Sequence, residues 1–137
     1  MINKSAIVAL LMTVALVIIT TVAAVPAYQT SCPALSVTNF GITYPSGGEK
    51  FKSGSNQKVI VDAKTSNISD IIAVDLFFAN GTYYSTLRTG IVPIADRTAT
   101  IMVTLPQIID GIFYYQIWGR GPMGLSCFKT GIVFSIE

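Results

Sequence analysis

From residue 37 onward, apolar side chains recur at every second position in short runs, turn residues separate the runs, and no helical period outlasts a turn or two. Alternation with a period of two marks strands that bury one face. It predicts seven strands, over residues 37–44, 57–63, 71–79, 83–88, 97–105, 111–118 and 126–136. Val59/Val61/Ala63, Val74/Leu76/Phe78, Ile101/Val103/Leu105 and Ile132/Phe134/Ile136 fall on the buried side. Lys58, Asp62, Asp75, Thr100, Thr104, Ser135 and Glu137 then face water. Seven short strands in one small segment predict an all-β sandwich.

Turn chemistry punctuates the pattern. Asn80-Gly81, between the third and fourth strands, predicts a type I′ hairpin, whose two central residues both need positive φ. Phe77-Phe78 and Tyr83-Tyr84 flank it in cross-strand positions. Pro45-Ser46-Gly47-Gly48 and Ser53-Gly54-Ser55-Asn56 turn the first strand toward the second, and Pro106, which has no N–H to donate, stops the ladder before Asp110-Gly111. Gly119, Gly121 and Gly124 lack the strand and helix of a phosphate-cradling loop and are assigned to a turn before Cys127.

The start of the chain departs from this pattern. One Lys4, an apolar run over residues 6–25, and Ala23, Ala24 and Ala27 have the layout of a secretory signal peptide. Cleavage fits after Ala24 or after Ala27, the latter favoured. The expected division is a signal peptide at 1–27, a short Ser/Thr/Pro linker at 28–36 and the sandwich at 37–137, placing the protein outside the cytosol, secreted or in the cell wall. Two readings compete: a span of about 20 apolar residues is long enough to stay as a membrane anchor, and a pilin-like stem would keep the same helix. Membrane association is expected only if the leader is uncleaved.

Composition narrows the chemistry. Residues 28–137 carry eight basic and seven acidic side chains, which argues against nucleic acid. With no histidine in the chain, neither a Ser-His-Asp nor a Cys-His nucleophile nor a histidine-ligated metal centre can be built. Only carboxylate chemistry survives. Glu49, Asp62, Asp70, Asp75, Asp96, Asp110 and Glu137 sit at turns or on polar strand positions, where carboxylates are ordinarily solvated, so no enzyme, catalytic residue, metal or cofactor is expected. Cys32 and Cys127, 95 positions apart, are expected to pair in an oxidising compartment. The chain-entropy model gives such a closure about 4–5 kcal/mol. Two free buried thiols are the alternative.

The segment Ile42-Thr43-Tyr44-Pro45-Ser46-Gly47-Gly48, leading through Phe51 and Gly54 into Val59-Ile60-Val61, resembles the opening of the fungal KRE/KNH-type cell-wall domain. The likeness continues through Val74-Asp75-Leu76-Phe77-Phe78-Ala79-Asn80-Gly81, residues 100–106, Asp110-Gly111 before Tyr114, and Phe134-Ser135-Ile136. It spans about residues 37–137. The resemblance implies a secreted Ig-like or fibronectin-like β-sandwich acting in fungal cell-wall assembly, with a link to β-1,6-glucan; it carries over no catalytic residues. Two departures stand out. Asp62-Ala63 occupies a place where relatives often have tryptophan, and with Glu137 as the last residue read, neither the family's Ser/Thr-rich stalk nor GPI attachment is expected.

Asn67-Ile68-Ser69 and Asn80-Gly81-Thr82 are glycosylation sequons, Asn67 the cleaner of the two because the turn alone selects Asn80-Gly81. Tyr83, Tyr84, Tyr114, Tyr115 and Trp118 are candidate glycan contacts, with core packing as the competing role. The sixth strand decides between them. Phe113/Tyr115/Ile117 bury cleanly, whereas the family pattern turns Tyr114 inward as a tyrosine corner. Lys50, Lys52, Lys58 and Lys64 read as a solvated edge. The expected function is a secreted, non-enzymatic cell-wall module whose partner is wall polysaccharide or wall glycoprotein; the alternative is a small extracellular protein-interaction or effector-like module.

Overall fold

The computed structural model describes residues 39–137; the leader, the linker, Cys32 and the first positions of the first expected strand lie outside that range. Within it the alternating runs form nine strands: β1 (Gly41–Tyr44), β2 (Lys50–Phe51), β3 (Asn56–Asp62), β4 (Asp70–Phe78), β5 (Tyr83–Pro93), β6 (Thr98–Thr104), β7 (Gly111–Arg120), β8 (Ser126–Thr130) and β9 (Phe134–Ile136). One sheet has the order β1-β3-β6, and the other β2-β9-β7-β4-β5, with β8 also on β7. All pairings are antiparallel except β2 with β9.

Each sheet contributes one apolar face to a shared core. Val59 and Val61 of β3 and Ile101 and Val103 of β6 join Val74 and Leu76 of β4, Phe113, Tyr115 and Ile117 of β7, and Phe134 and Ile136 of β9 in a single buried cluster. Burying each large apolar side chain contributes about 1.5–3 kcal/mol. The fold is therefore a β-sandwich. Its sheet orders, three strands facing a sheet in which β9-β7-β4-β5 are neighbours, are those of Ig-like and fibronectin-like domains.

Several local expectations are corrected. The Asn80-Gly81 hairpin is not type I′, because only Gly81 has positive φ (89°). The Gly81 N–H bonds the Phe78 carbonyl and the Phe78 N–H bonds the Thr82 carbonyl, giving a three-residue loop with glycine at the left-handed position. Positive φ at both central residues occurs instead at Asp96 (50°) and Arg97 (64°), where Ala95 and Thr98 exchange both backbone hydrogen bonds. Arg97 is held there by its guanidinium donating to the Lys64 carbonyl.

The last expected strand is two. Phe113 pairs with Phe134 and Gln116 with Thr130, so two β7 residues oppose three in Gly131-Ile132-Val133, a bulge that shifts the alternation by one. Phe134 and Ile136 stay inside, while Ile132 is 59% exposed. Gly119 belongs to β7 rather than to a turn: a Cβ there would lie 2.3 Å from Ile68 Cδ1. The fourth expected strand runs on to Pro93 as β5, because irregularities in its register let it keep pairing with β4. The two-residue β2 is too short to show an alternation.

Candidate functional site

The phase of β7 sets what the second sheet shows to solvent. Phe113, Tyr115 and Ile117 point into the core, each no more than 1% exposed, which settles the sixth-strand alternatives against an inward Tyr114. Tyr114, Gln116, Trp118 and Arg120 take the outer face by alternation. The antiparallel register with β4 sets Phe77 beside Tyr114, Asp75 beside Gln116, Ala73 beside Trp118 and Asp70 beside Arg120. From β5 come Tyr83 opposite Phe77, Thr86 opposite Asp75 and Thr89 opposite Ala73; from β8 comes Phe128 opposite Trp118. The face thus carries an aromatic row, a polar row, a second aromatic row and a charged row. Successive rows are about 6.6 Å apart, two residues along a strand.

Ring contacts consolidate the two aromatic rows. Phe77 lies parallel to Tyr114 at 5.4 Å and edge-on to Tyr83 at 5.5 Å, and Trp118 tilts against Phe128 at 5.3 Å. Between the rows is a groove of about 610 Å³, lined by Asp75, Phe77, Tyr83, Gln116, Trp118 and Phe128. Apolar walls with a few convergent polar groups are the usual construction of a ligand site.

The groove's polar groups are ordered unequally. Asp75 Oδ2 accepts from the Trp118 indole N–H at 2.9 Å and Oδ1 from the Thr86 hydroxyl at 2.6 Å, with the Tyr83 hydroxyl 3.0 Å from Thr86 Oγ1. These bonds fix the indole and keep the carboxylate in place, 8% exposed, rather than facing open water as its strand position predicts. Each carboxylate oxygen has a second lone pair, so Asp75 can still accept from a ligand. Gln116 is buried to 9% exposure, yet its carboxamide has no hydrogen-bond partner among the described residues. Its amide opens onto the groove, where it is free to exchange hydrogen bonds with a ligand hydroxyl. Beyond Trp118, Arg120 donates through Nη2 (2.7 Å) and Nε (3.1 Å) to Asp70 Oδ2, and this pairing, with the Ser69 hydroxyl, holds the Asp70 carboxyl below its ordinary range.

Of the five aromatic residues singled out from the sequence, Tyr83, Tyr114 and Trp118 meet on this face. Tyr84 and Tyr115 do not. Tyr84 packs edge-on against Phe78 and the core residue Phe113. Tyr115 is 1% exposed against Phe134, and burial pushes its phenol well above the ordinary tyrosine range. Neither can meet a ligand in the groove. The sequence pattern does not single out Phe77, Phe128, Asp75 or Gln116; Phe77 occupies a position that alternation assigns to water, whereas the period of Ile132/Phe134/Ile136 assigns Phe128 to the core and only the bulge at 131–133 turns it outward.

The other candidates lie elsewhere. Asn67 is exposed in the connection from β3 to β4, and Asn80 is exposed in the β4–β5 hairpin, where its Oδ1 accepts from the Thr82 N–H at 2.9 Å. Cys127 is buried at 2% exposure on β8 and is not a free thiol; Cys32 lies outside the described residues. Lys58 is on the central strand β3 above the Tyr44 ring and Lys50 pairs with Glu137, so the lysines form no common surface with the groove.

No family model matches the chain, and no curated protein matches it. Among solved structures it is similar to fibronectin(III)-like modules of Clostridium thermocellum CbhA, at 16% identity over 71% of this chain and 91% of that one, with a TM-score of 0.39. The sandwich is established by its own strand order and core.

Proposed function

We propose that the protein is a secreted, non-catalytic module that binds neutral glycan in the groove between the Tyr83/Phe77/Tyr114 and Trp118/Phe128 rows. One observation carries the reading: the Gln116 amide, without a partner among the described residues and open to the groove, lies beside an ordered carboxylate, Asp75, between aromatic walls. Sugar rings offer apolar faces for aromatic stacking and hydroxyls that both donate and accept. Asp75 supplies acceptors, and Gln116 supplies both. The leader pattern and the resemblance to the fungal KRE/KNH-type domain support a place in the cell wall, with β-glucan as the first polymer to try, and the Cys32–Cys127 disulfide belongs to the same proposal.

A second reading, a protein-interaction module, has the outer edge of β5 in its favour, since β5 ends its sheet among the described residues. An unpaired edge can take another chain's strand. Arg88 and Pro93 on that strand work against such pairing.

The test is retention of the protein, expressed from the full chain, on insoluble wall fractions separated into β-glucan, chitin and mannoprotein. Saturable binding to one polysaccharide is expected. Gln116→Met, which keeps volume but removes the amide, is expected to weaken it about tenfold, and Trp118→Ala to abolish it, while Lys52→Ala, away from the groove, leaves it intact. Absence of binding to every polysaccharide, or binding indifferent to both groove substitutions, would overturn the reading. Tyr115→Ala is no probe of the site, because it would open the core.

A further inference from the structure

The groove does not end at Trp118. On the other side of the indole a second hollow of about 510 Å³ is lined by Ala73, Thr86, Thr89, Arg120 and Ser126, and it shares Asp75 and Trp118 with the first. What opens it is the small side chain at position 73: the register sets Ala73 between Thr89 and Trp118, whereas the same position on β4 in the first aromatic row, two rows along, carries the large ring of Phe77. The indole is therefore a ridge with space along both flanks. Its N–H bond to Asp75 keeps it from swinging into either hollow.

Charge restricts what can lie there. The Arg120 guanidinium is committed to Asp70 by two hydrogen bonds, so the second hollow offers no free cation for an anionic ligand. The carboxylate shared by both hollows, Asp75, repels anions, and a like charge brought into such a site is penalised. An uncharged, hydroxyl-rich chain satisfies both hollows.

We propose that the face binds a neutral glycan as a chain laid across Trp118, with at least one sugar unit in each hollow, so that affinity depends on chain length; this rests on the glycan-binding reading above. A monosaccharide fills only one flank of the indole. A longer chain gains the second flank without paying again for the translational and rotational freedom already lost on binding.

Trp118 is the sole tryptophan of the chain, so its fluorescence reports on the ridge itself. Titrating the full-chain protein with soluble β-1,3- and β-1,6-linked gluco-oligosaccharides, from monosaccharide to hexasaccharide, is expected to show affinity rising at least about tenfold with length and then levelling off. Ala73→Leu fills the second hollow while leaving the lining of the first in place, and is expected to bring the affinity of the longest oligosaccharide down to that of the shortest. Equal affinity for all lengths, or a length dependence that survives Ala73→Leu, would overturn the two-flank arrangement and leave the glycan-binding reading standing. Binding at no length, together with no retention on any wall polysaccharide, would overturn both.

Discussion

At the scale of single residues, the groove differs from the core in how its polar atoms are satisfied. Asp75 is ordered by Trp118 and Thr86, whereas the Gln116 amide waits beside it unpartnered. Inside the core the Tyr115 hydroxyl, unlike the groove-facing Gln116 amide, is buried without a partner among the described residues and faces packed side chains. Leaving a buried hydroxyl unpaired costs about 1–3 kcal/mol, and removing it costs little volume. Tyr115→Phe is therefore expected to leave stability unchanged or raise it by about 1 kcal/mol in denaturant unfolding. A loss above about 1 kcal/mol would show that the hydroxyl is satisfied in solution. Alternation revealed that one of Tyr114 and Tyr115 had to be buried; the pairing of Asp75 with Trp118, two residues on different strands 43 positions apart, had no local signal.

At the scale of elements, β7 does the most. Its inner row closes the core and its outer row supplies Tyr114, Gln116, Trp118 and Arg120, so a slip of one residue would exchange site for core. Gly119 holds the end of this strand tight against the residues around Ile68 and Phe40, which a Cβ would meet at 2.3 and 3.1 Å. Gly119→Ala gains about 0.4–1 kcal/mol by restricting the unfolded chain, but overpacking a filled core costs about 1–3 kcal/mol. The second effect wins because Ile68 and Phe40 are themselves buried. A net loss of about 1 kcal/mol is expected in urea unfolding, and a gain would mean that Ile68 turns aside freely. The hairpins teach a complementary lesson. Asn80-Gly81 was a sound turn signal, yet the loop became three residues because the Phe77–Tyr83 and Phe78–Thr82 pairings fixed the strand ends.

At the scale of the whole molecule, acid stability follows from carboxylates that hold hydrogen bonds, Glu49 within its own turn and Asp70 between strands. Partial burial raises the Glu49 pKa, but the Ser46 hydroxyl and the Ser46 and Gly47 N–H groups outweigh it and hold the group at about 2 instead of 4.5. Asp70, bonded to Arg120 across β4 and β7, is also lowered. Lowered folded-state values mean that both groups bind protons more readily when unfolded, so their stabilisation is present above the unfolded pKa and disappears as pH falls toward the folded one. Unfolding free energy measured by denaturant across a pH series is expected to fall as pH drops from about 4.5 toward 2, and Glu49→Gln to flatten that decline. An unchanged decline would place the acid sensitivity elsewhere. Sequence by itself determined the all-β architecture and most of the buried positions, because period-two burial is a local property that each strand writes into its own residues. It also marked three of the aromatic residues on the outer face. Only the tertiary structure decided the strand order, the bulge that expels Ile132, and the assembly of Asp75, Phe77, Gln116, Trp118 and Phe128 into one groove. The reason is physical: a site on a sheet face is built across strands, and cross-strand register is set by packing between segments far apart in the chain.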